Sequence, residues 1–464
     1  MTLFLRPDCK LFSRPAEIRK ILKKHSLFIS YPIKVNGEVQ NSLQAIWYRD
    51  KREVTEDEYD QFYENIANTK IPFKYSLHYN TDVPISIKAL LYVPTTNTEK
   101  FGMQQEASDL HLYCRKVLIK SKCSELLPHW LRFIKGVVDC EDLPLNVSRE
   151  NYQDSHLMGR LKNALTRRVI KMLEDEIKND EEKYNKWFGE FNNFLKEGLA
   201  VDQAIAPQLL RLMRYNSTKS TKKLISLDEY VDSMKSGQKN IYFHVSGTQS
   251  GPTDSPFLEP FKKQKIPVII LENHIDEVCL KNVNEYKGLK FVNIESSYEE
   301  VSEDLKAKDS SKMTIGIPEE EITPFSLWVK SELAPTISKV TISKRLSTSP
   351  AVIIGEVSSS MRAMLAMVDQ AQFEAATKNQ SMEINPNHSL MVKLNKLRKI
   401  DSENASLLLK EVFDNVLLQS GIPFDIMSSS NRSFKVIEML LDYKTADFSN
   451  EEPQIIVEDV KRRN

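Results

Sequence analysis

The sequence predicts a multidomain chain of α/β and α+β class: a large α/β domain, a small three-layer α/β unit and a mixed C-terminal domain ending in helices. Three observations lead there. The chain has 464 residues, about three domains at roughly 100–200 residues each. Strand and helix patterns alternate between Ile241 and Ile294, the order of a small parallel sheet covered on both faces. Apolar residues recur at helical spacing from Leu157 to Leu173 and from Leu407 to Leu441, marking amphipathic helices in two separate places.

Composition narrows the class without naming an activity. The 64 basic and 64 acidic side chains cancel, which argues against a dedicated nucleic-acid partner or a polybasic membrane-surface protein. Apolar residues make up 41%, enough for ordinary cores. No run reaches the ~18–20 apolar residues a membrane-spanning helix needs, so no membrane insertion is expected. Met1–Phe12 lacks the basic and apolar regions of a secretory signal and does not resemble a transit peptide. The cysteines (Cys9, Cys114, Cys123, Cys140 and Cys279) include no Cys-x-x-Cys pair, and there is no His-Glu-x-x-His. Neither a disulfide framework nor a metal site is expected.

Along the chain, Ala16–His25 reads as a short basic helix, and Asn36–Gly37 as a turn between short apolar runs. Thr55–Ala67 reads as a helix with acids in its first turn, where the dipole favours them. Lys74–Tyr79 and Ile85–Val93 suggest a hairpin about Asn80–Asp82, and Leu110–Lys120 a third strand. Ser124–Phe133 suggests a short helix. The acids and Pro144 in Val137–Arg149 suggest an irregular loop. A long helix follows, with Leu157, Leu161, Leu165, Val169 and Leu173 at four-residue intervals. A second, about Glu181–Gly198, carries Trp187, Phe188, Phe191, Phe194 and Leu195.

Ser217–Lys223 is polar and basic, the composition of a linker or exposed loop. Then come strand Ile241–Val245, helix Ser255–Gln264, strand Val268–Leu271, helix Ile275–Tyr286 and strand Phe291–Ile294. Glu295–Lys312 is charged and Ser-rich, as in a flexible junction. Helix Pro324–Leu333, strands Lys339–Arg345 and Ala351–Val357 and several helices finish the chain. The expected domains are 26–216, 217–312 and 313–464, preceded by a short segment, 1–25. Leu408, Val412, Val416 and Leu417 form one apolar stripe, with Gly421 placed to end that helix. Ile437 and Leu441, with Phe434 and Leu440, form another. Two terminal helices with unpartnered apolar faces point to a homodimer.

The chemistry-bearing motifs are few. Neither Gly-x-Gly-x-x-Gly nor a P-loop is present, and Gly247–Gly251 is either a weak anion cradle or a plain connector. Ser246–Gly247 and Ser358–Ser360 lack the nucleophile elbow, and His388 stands where a helix should start, as a cap. Arg149 is expected in the first turn of the long helix, where free N–H groups favour an anion and a guanidinium adds a bidentate phosphate donor. The alternative is a salt bridge to Glu150 or a loop carboxylate. Gln153 lies one turn on along the same face, and Asn146 or Ser148 can cap the start. Met361, Met364, Leu365 and Val368 share one helical face, which suits either a core or a promiscuous apolar surface.

The stretch Gly136–Glu150, GVVDCEDLPLNVSRE, resembles the middle-domain signature of the heat-shock protein 90 chaperones. The likeness continues through Ile87–Pro94, Tyr113–Ile119, Lys239–Phe243, Ser343–Pro350 and Glu383–His388, in the family's order. Gln44–Trp47 and Tyr75–Asp82 are more similar to the family's mitochondrial branch, although the chain has no transit peptide. The resemblance implies an ATP-dependent, homodimeric chaperone of the mitochondrial matrix that assists folding and binds unfolded clients. Arg149 then corresponds to the arginine that reaches the γ-phosphate of ATP, with Gln153 assisting and Asn146 a further contact. Met361, Met364, Leu365 and Val368 correspond to a client-touching segment. ATP and Mg²⁺ are the full-length family's cofactors. Nothing here matches the family's ATP-binding domain, and residues 1–25 resemble only its last helix. The expectation is a middle and C-terminal portion that alone binds neither ATP nor Mg²⁺. An ATP-independent dimeric holdase, or a truncated regulatory partner of full-length subunits, is the alternative.

Overall fold

The structure is a computed structural model, described for residues 4–26, 28, 31–40, 44–101, 108–143, 155–246, 255–295, 316–355, 357–377, 380–420, 422 and 424–448. It is a mixed α/β molecule, as the sequence predicts. Two compact units meet in sequence at Arg214 and Tyr215.

In the first unit, α1 (Pro15–His25) starts at a proline whose fixed φ suits a first turn. Asn36 and Gly37, both with positive φ, turn β1 (Lys34–Val35) into β2 (Glu38–Val39). Helix α2 (Glu56–Ala67) opens with a capping box: Thr55 Oγ1 accepts from the Glu58 N–H and Glu58 accepts from the Thr55 N–H. Strands β3 (Phe73–Thr81), β4 (Ile87–Pro94), β5 (Asp109–Cys114), β6 (Val117–Lys120) and β7 (Lys135–Cys140) form one sheet in the order β3-β4-β7-β5-β6. Central β7 is antiparallel to β4 and parallel to β5. Leu90, Tyr92, Tyr113 and Val137 pack with Trp47, Phe62 and Tyr63 in a buried cluster.

Three expectations are corrected here. Leu110–Lys120 is two strands, because Arg115 and Lys116 both take positive φ and reverse the chain. Neither is a favoured turn residue; a tertiary contact holds them, since the Asp139 carboxylate accepts both their N–H groups, at 2.9 and 2.8 Å. Val137–Cys140 belongs to the central strand rather than a loop, because Asp139 is buried with its hydrogen bonds satisfied. Only His129–Leu131 of Ser124–Phe133 is helical, as a 3-10 turn. Gly136 has φ +144°, and a β-carbon there would come within 2.2 Å of the Leu90 carbonyl oxygen on β4.

Helices α3 (Ser155–Asn179), α4 (Glu181–Val201) and α5 (Ala206–Leu212) complete the unit. Trp187 stacks on Phe191 at 5.1 Å and meets Tyr75 of β3 edge-on.

The second unit begins with a hairpin, β8 (Tyr215–Ser217) and β9 (Ser220–Ile225), where a linker was expected. Its lysines fit the edge of a sheet, whose polar strands read as loops in sequence. After α6 (Leu227–Asp232) come β10 (Asn240–Val245), α7 (Glu259–Gln264), β11 (Ile269–Leu271), α8 (His274–Val283), β12 (Glu285–Tyr286) and β13 (Leu289–Asn293). The sheet order is β12-β13-β10-β11-β8-β9, with β10 parallel to β11 and β13, the predicted alternation. The Gly247–Gly251 loop and positions 296–312 of the expected junction lie outside the described residues.

Helix α9 (Glu319–Glu332) encloses Pro324, starting earlier than predicted. Strands β14 (Ile337–Ile342) and β15 (Ala351–Ile354) are followed by α10 (Ser359–Val368) and α11 (Gln370–Thr377). Strand β16 (Gln380–Ile384), unpredicted, then inserts between β14 and β15. Its Glu383 is buried against Arg345 at 3.1 Å. Helices α12 (Ser389–Leu397), α13 (Ser402–Gln419) and α14 (Ile426–Phe448) follow, and His388 caps α12 by accepting from the Leu390 N–H.

Candidate functional site

Asn146, Arg149 and Gln153 lie outside the described residues, as does Gly421. The structure shows what stands on either side of the first three: β7 up to Cys140, and α3 from Ser155. The β7 side is tightly wired. The Trp47 indole donates to Asp139 Oδ2 at 3.3 Å, beside the Arg115 and Lys116 N–H groups. Burial raises the Asp139 pKa above its ordinary value, against the N–H donors of Lys116, Trp47 and Arg115. Burial, then the charges of Asp139 and Glu141, push the Tyr48 phenol well above its usual range. Lys88 and Lys116 sit over the Tyr48 ring at 4.1 and 4.6 Å, and Lys88 pairs with Glu141 at 2.8 Å. On this side the last described strand is thus held by a buried carboxylate.

The second candidate surface is α10. Ser358 caps it, Met361, Met364 and Leu365 are half-buried, and Val368 is exposed. The adjoining Met367, 85% exposed, was missed because it lies off the predicted stripe; the methionine-rich composition was the available signal.

The third candidate is the pair α13 and α14. Val416 and Leu417 are buried in the unit's own core, with Leu408 and Val412 packed partly against it. These two are therefore core groups rather than surface groups, because α13 turns that side toward α9 and the strands. The uncovered apolar area lies on α14, where Phe434, Ile437, Leu440 and Leu441 are all more than half exposed. Among the described residues no group of three or more His, Cys, Asp or Glu side chains converges on a metal position. No described helix is long and apolar enough to cross a membrane.

A family model described as Hsp90 protein matches residues 35–464. The chain belongs to that family. Its Hsp90 relatives include "Chaperone protein HtpG" of Desulfitobacterium hafniense, 37% identical over 95% of this chain and 71% of the relative. "TNF receptor-associated protein 1 homolog, mitochondrial" of Dictyostelium discoideum is 35% identical over 95% of this chain and 62% of its own length. "Heat shock protein 75 kDa, mitochondrial" of Rattus norvegicus is 34% identical over 91% and 61%. The chain therefore spans under two thirds of these mitochondrial relatives and somewhat more of the bacterial one. Within the Hsp90 framework, the first unit carries the signature segment entered by β7, and the second carries the two helices with uncovered apolar faces.

Proposed function

We propose that this chain is the client-binding and dimer-forming body of an Hsp90-type molecular chaperone. The family match through residues 35–464 carries the reading, and the relatives' names, chaperone among them, supply its class. The exposed apolar end of α10 and the exposed apolar face of α14 fit the two roles: apolar surface rimmed by polar residues suits protein contacts, and methionine adapts to varied partners. A homodimer through α14 covers Ile437 and Leu441. Clients meet Met367 and Val368 first, with Met361, Met364 and Leu365 behind them.

In this reading the chaperone cycle depends on ATP and Mg²⁺ bound by a nucleotide domain. Arg149, helped by Gln153 and Asn146, reaches toward the phosphates, and the Asp139-anchored strand holds that segment's entry. A guanidinium there neutralises charge on the leaving phosphate oxygens. Names among the relatives favour a mitochondrial location, which organelle fractionation of the native protein tests.

The deciding experiment is suppression of aggregation of a thermally unfolded client by the purified chain. Met367→Ser with Val368→Ser should raise the concentration needed for half-suppression about five-fold or more; unchanged suppression counts against the surface. With a family nucleotide domain present, Arg149→Ala should slow ATP turnover with little change in ATP affinity. A large loss of affinity contradicts the assigned role.

A further inference from the structure

The base of α10 is held by buried charge that the reading above does not use. Glu277 on α8 has no exposed surface. Its Oε1 takes Lys281 Nζ at 2.8 Å and Asn293 Nδ2, from the end of β13, at 3.1 Å. Its Oε2 accepts from Ser358 Oγ at 2.9 Å. That same hydroxyl caps α10 by accepting the Met361 N–H at 3.3 Å. One hydroxyl therefore joins the buried carboxylate to the first turn of the methionine-rich helix.

Arg362, in the same helix, is 2% exposed. Its Nη1 donates to the Val357 carbonyl, a β-carbon at Gly355 would overlap it, and its Nε has no hydrogen-bond partner among the described residues. Burial lowers its pKa, while the charges of Glu295 and Glu277 oppose that shift. Glu295 in turn lies 3.4 Å from His244 Nδ1 on β10. Opposite charges buried together hold one another, because either alone loses its hydration without recompense. Helix α10 is therefore fastened at its base to α8 and, through Glu277, to the end of β13, while its far end, Met367 and Val368, stands in solvent.

We propose that Glu277, acting through Ser358, is the positioning residue that seats α10 and so sets how much apolar surface is offered to clients. The proposal rests on the client-binding reading of α10. Seated, the helix shows Met367 and Val368. Released, α10 and α11 swing away as one arm and also bare Met361, Met364 and Leu365, which are half-buried in the seated state.

The test is hydrogen–deuterium exchange of the full chain, comparing the parent with Glu277→Gln, Ser358→Ala and Ser358→Thr. Exchange in peptides spanning 359–377 should rise ten-fold or more in Glu277→Gln and Ser358→Ala. Ser358→Thr, which keeps the hydroxyl, should restore the parent rate. Peptides from α8, β10 and β13 should not change in Ser358→Ala and should change less than 359–377 in Glu277→Gln. Unchanged exchange in 359–377, or an equal rise in all these elements, overturns the proposal; if Glu277→Gln does not fold, the Ser358 pair decides. Client assays on the same samples separate the two readings. Faster exchange without altered client suppression keeps the anchor and removes the client role. Unchanged exchange alongside a client defect in Met367→Ser keeps the client role and removes the anchor.

Discussion

The indole N–H of Trp47 donates to the carboxylate of Asp139 across 3.3 Å, joining positions 92 residues apart. The same carboxylate fixes the Arg115–Lys116 turn. Asp139→Ala removes the acceptor of these three N–H donors, one buried and two half-buried. At about 1–3 kcal/mol for each buried unsatisfied group, the loss should reach about 3 kcal/mol. Asp139→Asn keeps one accepting oxygen and should lose less. Urea unfolding followed by tryptophan fluorescence measures both; a loss under about 1 kcal/mol for alanine removes the carboxylate from its central place.

Gly136→Ala should be at least as damaging. Its β-carbon would meet the backbone of β4 at Leu90, and its φ of +144° suits glycine alone. Backbone cannot yield as a flexible side chain does, so roughly 3 kcal/mol or more should be lost. A melting temperature within about 2 °C of the parent contradicts this packing.

Glu259 gives the second unit an acid-sensitive tie. Burial works against its carboxylate, but Ser349, Ser347 and Thr348 donate to it and hold its pKa at about 2 rather than the ordinary 4.5. A depressed folded-state pKa means the stabilisation is complete above pH 4.5 and is lost as pH falls toward about 2. Allowing for solvent screening, the term is about 1–2 kcal/mol. Glu259→Gln should lower stability at pH 6 but differ little from the parent near pH 2, measured by urea midpoints at each pH. An equal deficit at both removes ionisation as the cause.

The proposed homodimer makes a sharper demand on α14. Ile437→Glu with Leu441→Glu should weaken self-association at least a hundred-fold, about 2.7 kcal/mol, in sedimentation equilibrium. The circular dichroism spectrum should be unchanged, since both side chains are more than half exposed. A persisting dimer puts the seam elsewhere.

Periodicity made the long helices legible, because Leu157 to Leu173 and Trp187 to Leu195 repeat at the helical period and do bury that face. The central strands were hard to see for one physical reason. Asp139 in β7 and Glu383 in β16 are buried carboxylates that sequence reads as solvent-facing, and each is satisfied by residues far away in the chain. The helix α10 was visible in its methionines. Its anchor was not, because Glu277, Asn293 and Ser358 come from separate parts of the sequence and converge only after folding.

The three-stranded sheet also has a bearing on the chain's own biogenesis. Strands β14 and β15 each pair with β16 and not with one another. A ribosome moving from residue 337 to 384 therefore releases two strands whose common partner is the last to appear. Until then their pairing edges stand open, a state prone to wrong association. The order of this sheet thus delays its closure until residue 384 has been made.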